Sequence, residues 1–278
     1  MANRKQSVKA DFATIGGLIL AFGGILGGLV LEGGKVRDVA QITAALIVLG
    51  GTLGAVMVTT PLDVLISAAR KFLLVFMDTL VAPEAIIADL IAFATKARKS
   101  GIAALEGDAE DIEDYFLKKA ISLAVDGTDV QEIRKMMEIE IAVEECRWEA
   151  EAKVYEAAGG YSPTVGIIGA VLGLIQVMKH LENIDEVGHG IAVAFVATVY
   201  GVAAANLLFL PAAAKIKARA AKAIQMRELM LEGVIGIAEG LNPKLIKIKL
   251  DAYIQGNAGN ESKAGVRAGN AQAAAAEA

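Results

Sequence analysis

The chain has 278 residues, 55% of them hydrophobic and only 5% aromatic, with a formal net charge of −5. Its mean hydropathy of +0.52 exceeds what a soluble core of this size needs. The single cysteine, Cys146, excludes an internal disulfide, and there is no phosphate loop ending in Lys-Ser/Thr, no HExxH and no paired cysteines. Nothing in the sequence requires a catalytic residue, a cofactor, a metal or a nucleic acid.

Four runs free of Asp, Glu, Lys and Arg follow in order: Phe12–Leu31, Val39–Leu62, Ala157–Met178 and Val187–Ala214. A hydrocarbon core of ~30 Å takes about 20 helical residues to cross, so each run is long enough. The first is longer than a signal-peptide core and has no small-x-small exit before Glu32, which makes it a retained span. The predicted fold class is all-α: a four-span transmembrane protein with a large helical cytoplasmic loop and a C-terminal cytoplasmic helix. Of the 27 lysines and arginines, 24 lie in residues 1–11, 63–156 and from 215 onward. Such residues collect on the cytoplasmic side, which predicts that both termini and the large loop are cytoplasmic. The expected divisions are 1–62 (head and spans 1–2), 63–156 (loop), 157–214 (spans 3–4) and 215–278 (helix and tail).

The loop reads as helices. "PEAIIADLIAFATKARKSG" opens on a proline and ends in basic residues before Gly101, and "AEDIEDYFLKKAISLAVDG" is acidic early and closed by Gly127. A third helix is predicted from near Asp129, running about 30 residues towards span three, roughly 45 Å at 1.5 Å per residue. The loop's 20 acids against 11 bases read mainly as solvated helix faces. After span four a basic amphipathic helix continues, and from about Gly256 the composition predicts a disordered tail.

Within the spans, Gly166, Gly169 and Gly173 share one helix face with Ala170 beside them. Span four carries a matching stripe of Ala194, Ala197, Thr198, Gly201 and Ala205, and span one has Gly-Gly pairs at 16–17, 23–24 and 27–28. Small faces let helix backbones approach closely in lipid, and close packing is sufficient to account for most of these glycines. Pro163 and Pro211 each free a carbonyl one turn earlier, which suggests a paired kink near the cytoplasmic side. His180 and His189 flank the outer link and read as interface polar residues. The polar inventory of the spans is hydroxyls and amides, Thr198 and Tyr200 among them, with no titrating acid. Ion carriers place an ionisable group inside the membrane. Either this chain moves no ions or a partner supplies the acid.

"SPTVGIIGAVLGLIQVM" and "GIAVAFVATVYGVAAANLLFLPAAAKIK" resemble the third and fourth spans of the flagellar motor stator A-subunit family (MotA/PomA), within the MotA/TolQ/ExbB superfamily. "ARKSGIAALE" and "VDGTDVQEIRKMMEIEI" resemble that family's cytoplasmic loop, and the likeness covers residues 12 to about 250. It implies a bacterial inner-membrane protein of motility, not an enzyme. The implied assembly is a pentamer around two copies of a MotB/PomB-type single-span B-subunit, which is anchored to peptidoglycan and brings the membrane aspartate. Torque is then generated on a rotor switch protein of the FliG type. Carried over by motif, Arg98, Lys99 and Glu106 match rotor-contacting charges, Pro163 and Pro211 match functional prolines, and Thr198 matches a threonine near the ion path. Gly107 departs from members with a second acid at that position. Alanine at position 170, where sodium-driven members carry threonine, implies proton coupling. Four spans favour this branch over ExbB/TolQ-type energy transducers, the alternative reading.

Overall fold

The computed structural model describes residues 8–75, 77–79 and 83–252. The expected tail from Gly256 lies outside them. Apart from one short antiparallel pair, β1 (Val8–Ala10) with β2 (Met77–Thr79), the regular structure is helical. The chain divides into two compact units at 79/80, 145/146 and 221/222, whereas the divisions read from sequence follow the membrane edges.

The membrane unit takes residues 7–79 and 146–221. Helix α1 (Phe12–Leu31) starts where the Asp11 carboxylate accepts the Thr14 amide, a side-chain cap for a free N–H. It ends before Gly33, whose φ of +85° turns the chain as few other residues can. A one-turn α2 (Val36–Val39) leads into α3 (Ile42–Thr59), which stops because Pro61 forces Thr60 into extended backbone. Helix α4 (Leu62–Val75) follows directly. Two small cores hold the unit: Ala44, Val48, Val196 and Ala197 between spans, and a set with Val56, Ala68, Tyr155, Ala212 and Ile216.

Of the described residues, the second unit takes 83–145 and 222–252. Its helix α5 (Pro83–Ser100) ends at Gly101, φ +83°, and a 3₁₀ turn (Ile102–Leu105) leads to the short α6 (Glu106–Glu110). Helix α7 (Tyr115–Val125) begins later than its sequence suggests, because Asp114 caps it by accepting the Leu117 amide. Leu90, Leu105, Ile121, Ile133, Met137, Val234, Ile246 and Leu250 form the core, so the last described helical residues, 243–252, belong to it. Glu232 draws Arg134 (2.6 Å) and Lys249 (2.5 Å) together. Burial alone would raise its carboxyl, but hydrogen bonds from the two cations outweigh that and hold it below the usual glutamate range.

Helix α8 (Val130–Lys179) is one helix of 50 residues, about 75 Å at 1.5 Å each, and it contains the expected third loop helix, Pro163 and span three. Span four is α9 (Ile184–Ala203), a π-helical stretch (Ala204–Phe209) and the start of α10 (Leu210–Ala238). Among the described residues four helices are thus long and apolar enough to cross a membrane, and the chain is a multi-pass membrane protein.

Candidate functional site

Spans three and four meet backbone to backbone. A Cβ built on Gly201 would lie 2.6 Å from the Ser162 carbonyl oxygen, 3.1 Å from the Gly166 Cα and 3.2 Å from the Pro163 Cα. One on Gly166 would lie 2.9 Å from the Ala197 carbonyl oxygen. One on Gly169 would meet the Ala197 Cβ at 2.7 Å, and one on Gly173 the Ala194 nitrogen and Gly190 oxygen at 2.8 Å. These partners run in antiparallel register, so the two glycine stripes read from the sequence are one seam. At each of these glycines an added Cβ would force a neighbour to shift, and dispersion rather than water exclusion is what such contact supplies in lipid.

The remaining span residues divide. Thr198 Oγ1 donates to the Ala194 carbonyl at 3.2 Å, so its hydroxyl is engaged within its own helix. Ala170 is half-buried beside Gly169. The Tyr200 hydroxyl donates to the Val39 carbonyl (2.6 Å) and accepts from the Gln41 amide (3.3 Å), which fastens span four to the segment that opens span two. Pro163 sits in unbroken helix beside Gly201, while Pro211 lies just past the π-helical stretch. A proline cannot donate to the carbonyl four residues back, and the wider turns next to it are a known way to absorb that loss. His180 pairs with Glu186 (3.2 Å) and contacts the Gln176 carbonyl; His189 is exposed. Among the described residues no group of three His, Cys, Asp or Glu side chains could hold a metal.

Arg98, Lys99 and Glu106 are all exposed at one corner of the second unit, where α5 ends and α6 begins. Arg98 and Lys99 occupy the last turn of α5, where cations complement the helix dipole. The nearby Lys96 is paired with Asp108 at 2.6 Å.

Two charged clusters escape sequence reasoning. Glu151 is fully buried in the membrane unit, paired with Lys71 at 2.5 Å and accepting a hydrogen bond from Ser67. Lys71 also lies 3.2 Å from the centre of the Trp148 ring, and Tyr155 donates to the Ala68 carbonyl at 2.7 Å, which joins α4 to α8. Asp11 pairs with Lys215 and lies 3.5 Å from Arg219, tying the start of span one to the helix after span four. The Lys215 hydrogen bond, aided by the Thr14 amide and opposed by burial, brings the Asp11 carboxyl down to about 2. A position directly before an apolar run is a cap signal that could have pointed to Asp11. Glu151 gives none, since its cation is 80 residues away.

The profile of the Motility protein A N-terminal family matches residues 15–101, and that of the MotA/TolQ/ExbB proton channel family matches residues 108–229. The chain is 38% identical to Motility protein A of Bacillus subtilis, covering 88% of this chain and 91% of that one. It is 33% identical to the chemotaxis protein PomA of Vibrio alginolyticus, over 88% and 95% of the two chains. Among solved structures it resembles C. jejuni MotAB with a TM-score of 0.83 at 36% identity, covering 87% of this chain and 95% of that one. The flagellar MotAB stator complex of Bacillus subtilis gives 0.80 at 38%, covering 86% and 94%.

Proposed function

The chain belongs to the MotA/TolQ/ExbB proton channel family, in its motility protein A branch, and on that premise we propose how it works as the A-subunit of a flagellar motor stator. It is an inner-membrane, non-enzymatic subunit that works with a MotB-type partner in an oligomer. In our reading the A-subunits form a pentameric ring around a dimer of the single-span B-subunit, with both termini cytoplasmic, in line with the segregation of basic residues.

The observation that carries this reading is the seam between spans three and four. With backbone against backbone at Gly166, Gly173 and Gly201, no ion passes between these spans within one chain, and their runs Ala157–Met178 and Val187–Ala214 hold no Asp, Glu, Lys or Arg. The path therefore runs where a span meets the B-subunit, whose carboxylate carries the ion. Because the seam forbids independent sliding, the pair moves as one wedge, and Pro163 and Pro211 adjust its cytoplasmic end. Arg98, Lys99 and Glu106 transmit the motion to charges on the rotor.

The coupling ion is the proton. Sodium needs several oxygens in place of its hydration shell, whereas Ala170 offers a methyl group and leaves Thr198 as a single side-chain hydroxyl there. Rotation should persist when sodium is removed at a constant proton gradient and stop when that gradient is collapsed; the reverse dependence overturns the assignment.

Deleting the gene tests the function as a whole. Cells should assemble filaments and fail to swim. Loss of filaments, or normal swimming with no second stator set present, contradicts it.

A further inference from the structure

We propose that neighbouring copies of this chain dock head to tail through their second units, an apolar stripe on the acidic α8 of one copy lying against an apolar stripe on the basic helix 243–252 of the next. This rests on the ring reading given above. Among the described residues of the second unit, the exposed large apolar side chains are Tyr115, Met136, Ile139, Val143, Leu245 and Ile248. Five of these six fall on two helices. Met136, Ile139 and Val143 of α8 stand at i, i+3 and i+7, and so do Leu245, Ile248 and the exposed Ala252. Each set therefore shares one helix face, about 10 Å long. Val143 precedes the charge-free run at Ala157 by 14 residues, about 21 Å of helix, so the alternative to a protein partner here is water, not lipid. Apolar surface left to water in this way marks a face that another protein covers.

Charge selects the occupant. Residues 131–145 of α8 carry five acids and two bases, whereas 243–252 carry three lysines and one aspartate. Glu145 on the first helix, and Lys244 and Lys247 on the second, are exposed and make no ion pair among the described residues. Either helix against its own kind sets like charge on like, whereas each against the other sets opposite charges around an apolar centre. Both stripes belong to one unit and both are exposed, so neither covers the other within a chain. Two different patches that complement each other make a heterologous contact, and rotation closes such contacts into a ring in which every stripe is covered once. The rotor is met elsewhere in our reading, at the corner of Arg98 and Glu106, which lies on neither helix.

The test uses the full chain in membranes together with its B-subunit, with Cys146→Ser removing the exposed native thiol. Ile139 and Ile248, 64% and 65% exposed, are the middle members of their stripes, so they meet whichever way the two helices run. A chain carrying both Ile139→Cys and Ile248→Cys should join, on oxidation or with a short bismaleimide, into a ladder of dimers and larger species up to the closed ring. Either cysteine alone should join nothing, and the two single variants made together should stop at dimers. Dimers from Ile139→Cys or Ile248→Cys alone mean that a stripe meets its own kind, which overturns the head-to-tail contact. A double variant that runs as an oligomer on a native gel, yet forms no ladder, overturns the docking and leaves the ring standing. A native mass of one copy removes the ring reading itself. Should a cysteine variant fail to reach the membrane, a benzophenone side chain at the exposed Lys244 decides. It should shift the chain to a dimer joined at a peptide from 131–145, and capture of the rotor, of lipid or of nothing overturns the proposal.

Discussion

Spans one and four use glycine to opposite ends. On Gly201 an added Cβ would strike the Ser162 carbonyl at 2.6 Å, whereas at Gly16, Gly17, Gly23, Gly24, Gly27 and Gly28 of span one it would meet nothing within 4 Å. No residue of α1 is buried, and Phe12, Ile19, Leu20 and Leu31 are among its widely exposed side chains. The same residue type therefore closes a contact inside the chain in one span and leaves a face open in the other. Span one leaves its face to lipid or to another chain, and among the described residues the ion pairs of Asp11 fasten its start within this chain. Composition cannot tell the two uses apart; the neighbour decides.

The sharpest perturbations address the fastened regions. Glu151→Ala leaves the Lys71 ammonium without its buried carboxylate and should lower stability by about 3 kcal/mol, read from thermal unfolding in detergent. A loss below about 1 kcal/mol would mean that the pair is solvated rather than structural. Gly201→Ala comes next, at about 1–3 kcal/mol, because its obstacle is backbone that cannot turn aside. Wild-type unfolding in that variant would dissolve the contrast between the spans.

Asp11 ranks third. Its folded carboxyl value of about 2 lies below the ordinary 3.8, so its contribution is present above about pH 4 and is lost as pH falls towards 2. At neutral pH it amounts to at most about 2 kcal/mol. Asp11→Asn should lower stability at pH 6 and converge with wild type near pH 2. Parallel curves across that range would remove the charge anchor from the account. The smallest effect belongs to Gly24→Ala, within about 0.5 kcal/mol for the isolated chain. If unfolding is unchanged but swimming drops, the open face of span one packs against another chain in the motor.

The span boundaries were legible because charge-free runs report directly on what lipid tolerates; α1 coincides with its predicted run, and α3 lies within its own. The glycine seam was legible from spacing, since residues three and four apart share a helix face. The corner bearing Arg98 and Glu106 was reached only through resemblance, because isolated surface charges have no periodicity. Other features needed the folded chain. The sequence shows Tyr200 only as a polar residue within a span and an ion-pathway candidate; the partners of its hydroxyl, Val39 and Gln41, are residues about 160 positions away. Glu151 sits in an acid-rich stretch that reads as solvated face, and only the approach of α4 buries it. A continuous helix through Pro163 was also not evident, since a proline reads locally as a break.

The π-helical stretch at Ala204–Phe209 sets the rotational phase of everything after it. An α-helix advances about 100° per residue, and a π turn takes in roughly one extra residue before the ladder resumes. Downstream of Phe209 the helix is therefore rotated relative to the face that carries Ala197 and Gly201. Lys215 and Arg219 reach Asp11 in this shifted phase. Removing one residue from the stretch, Leu207 for instance, would let it wind as ordinary α-helix with both cations still facing Asp11, whereas α winding with all six residues kept would swing them about a quarter turn away.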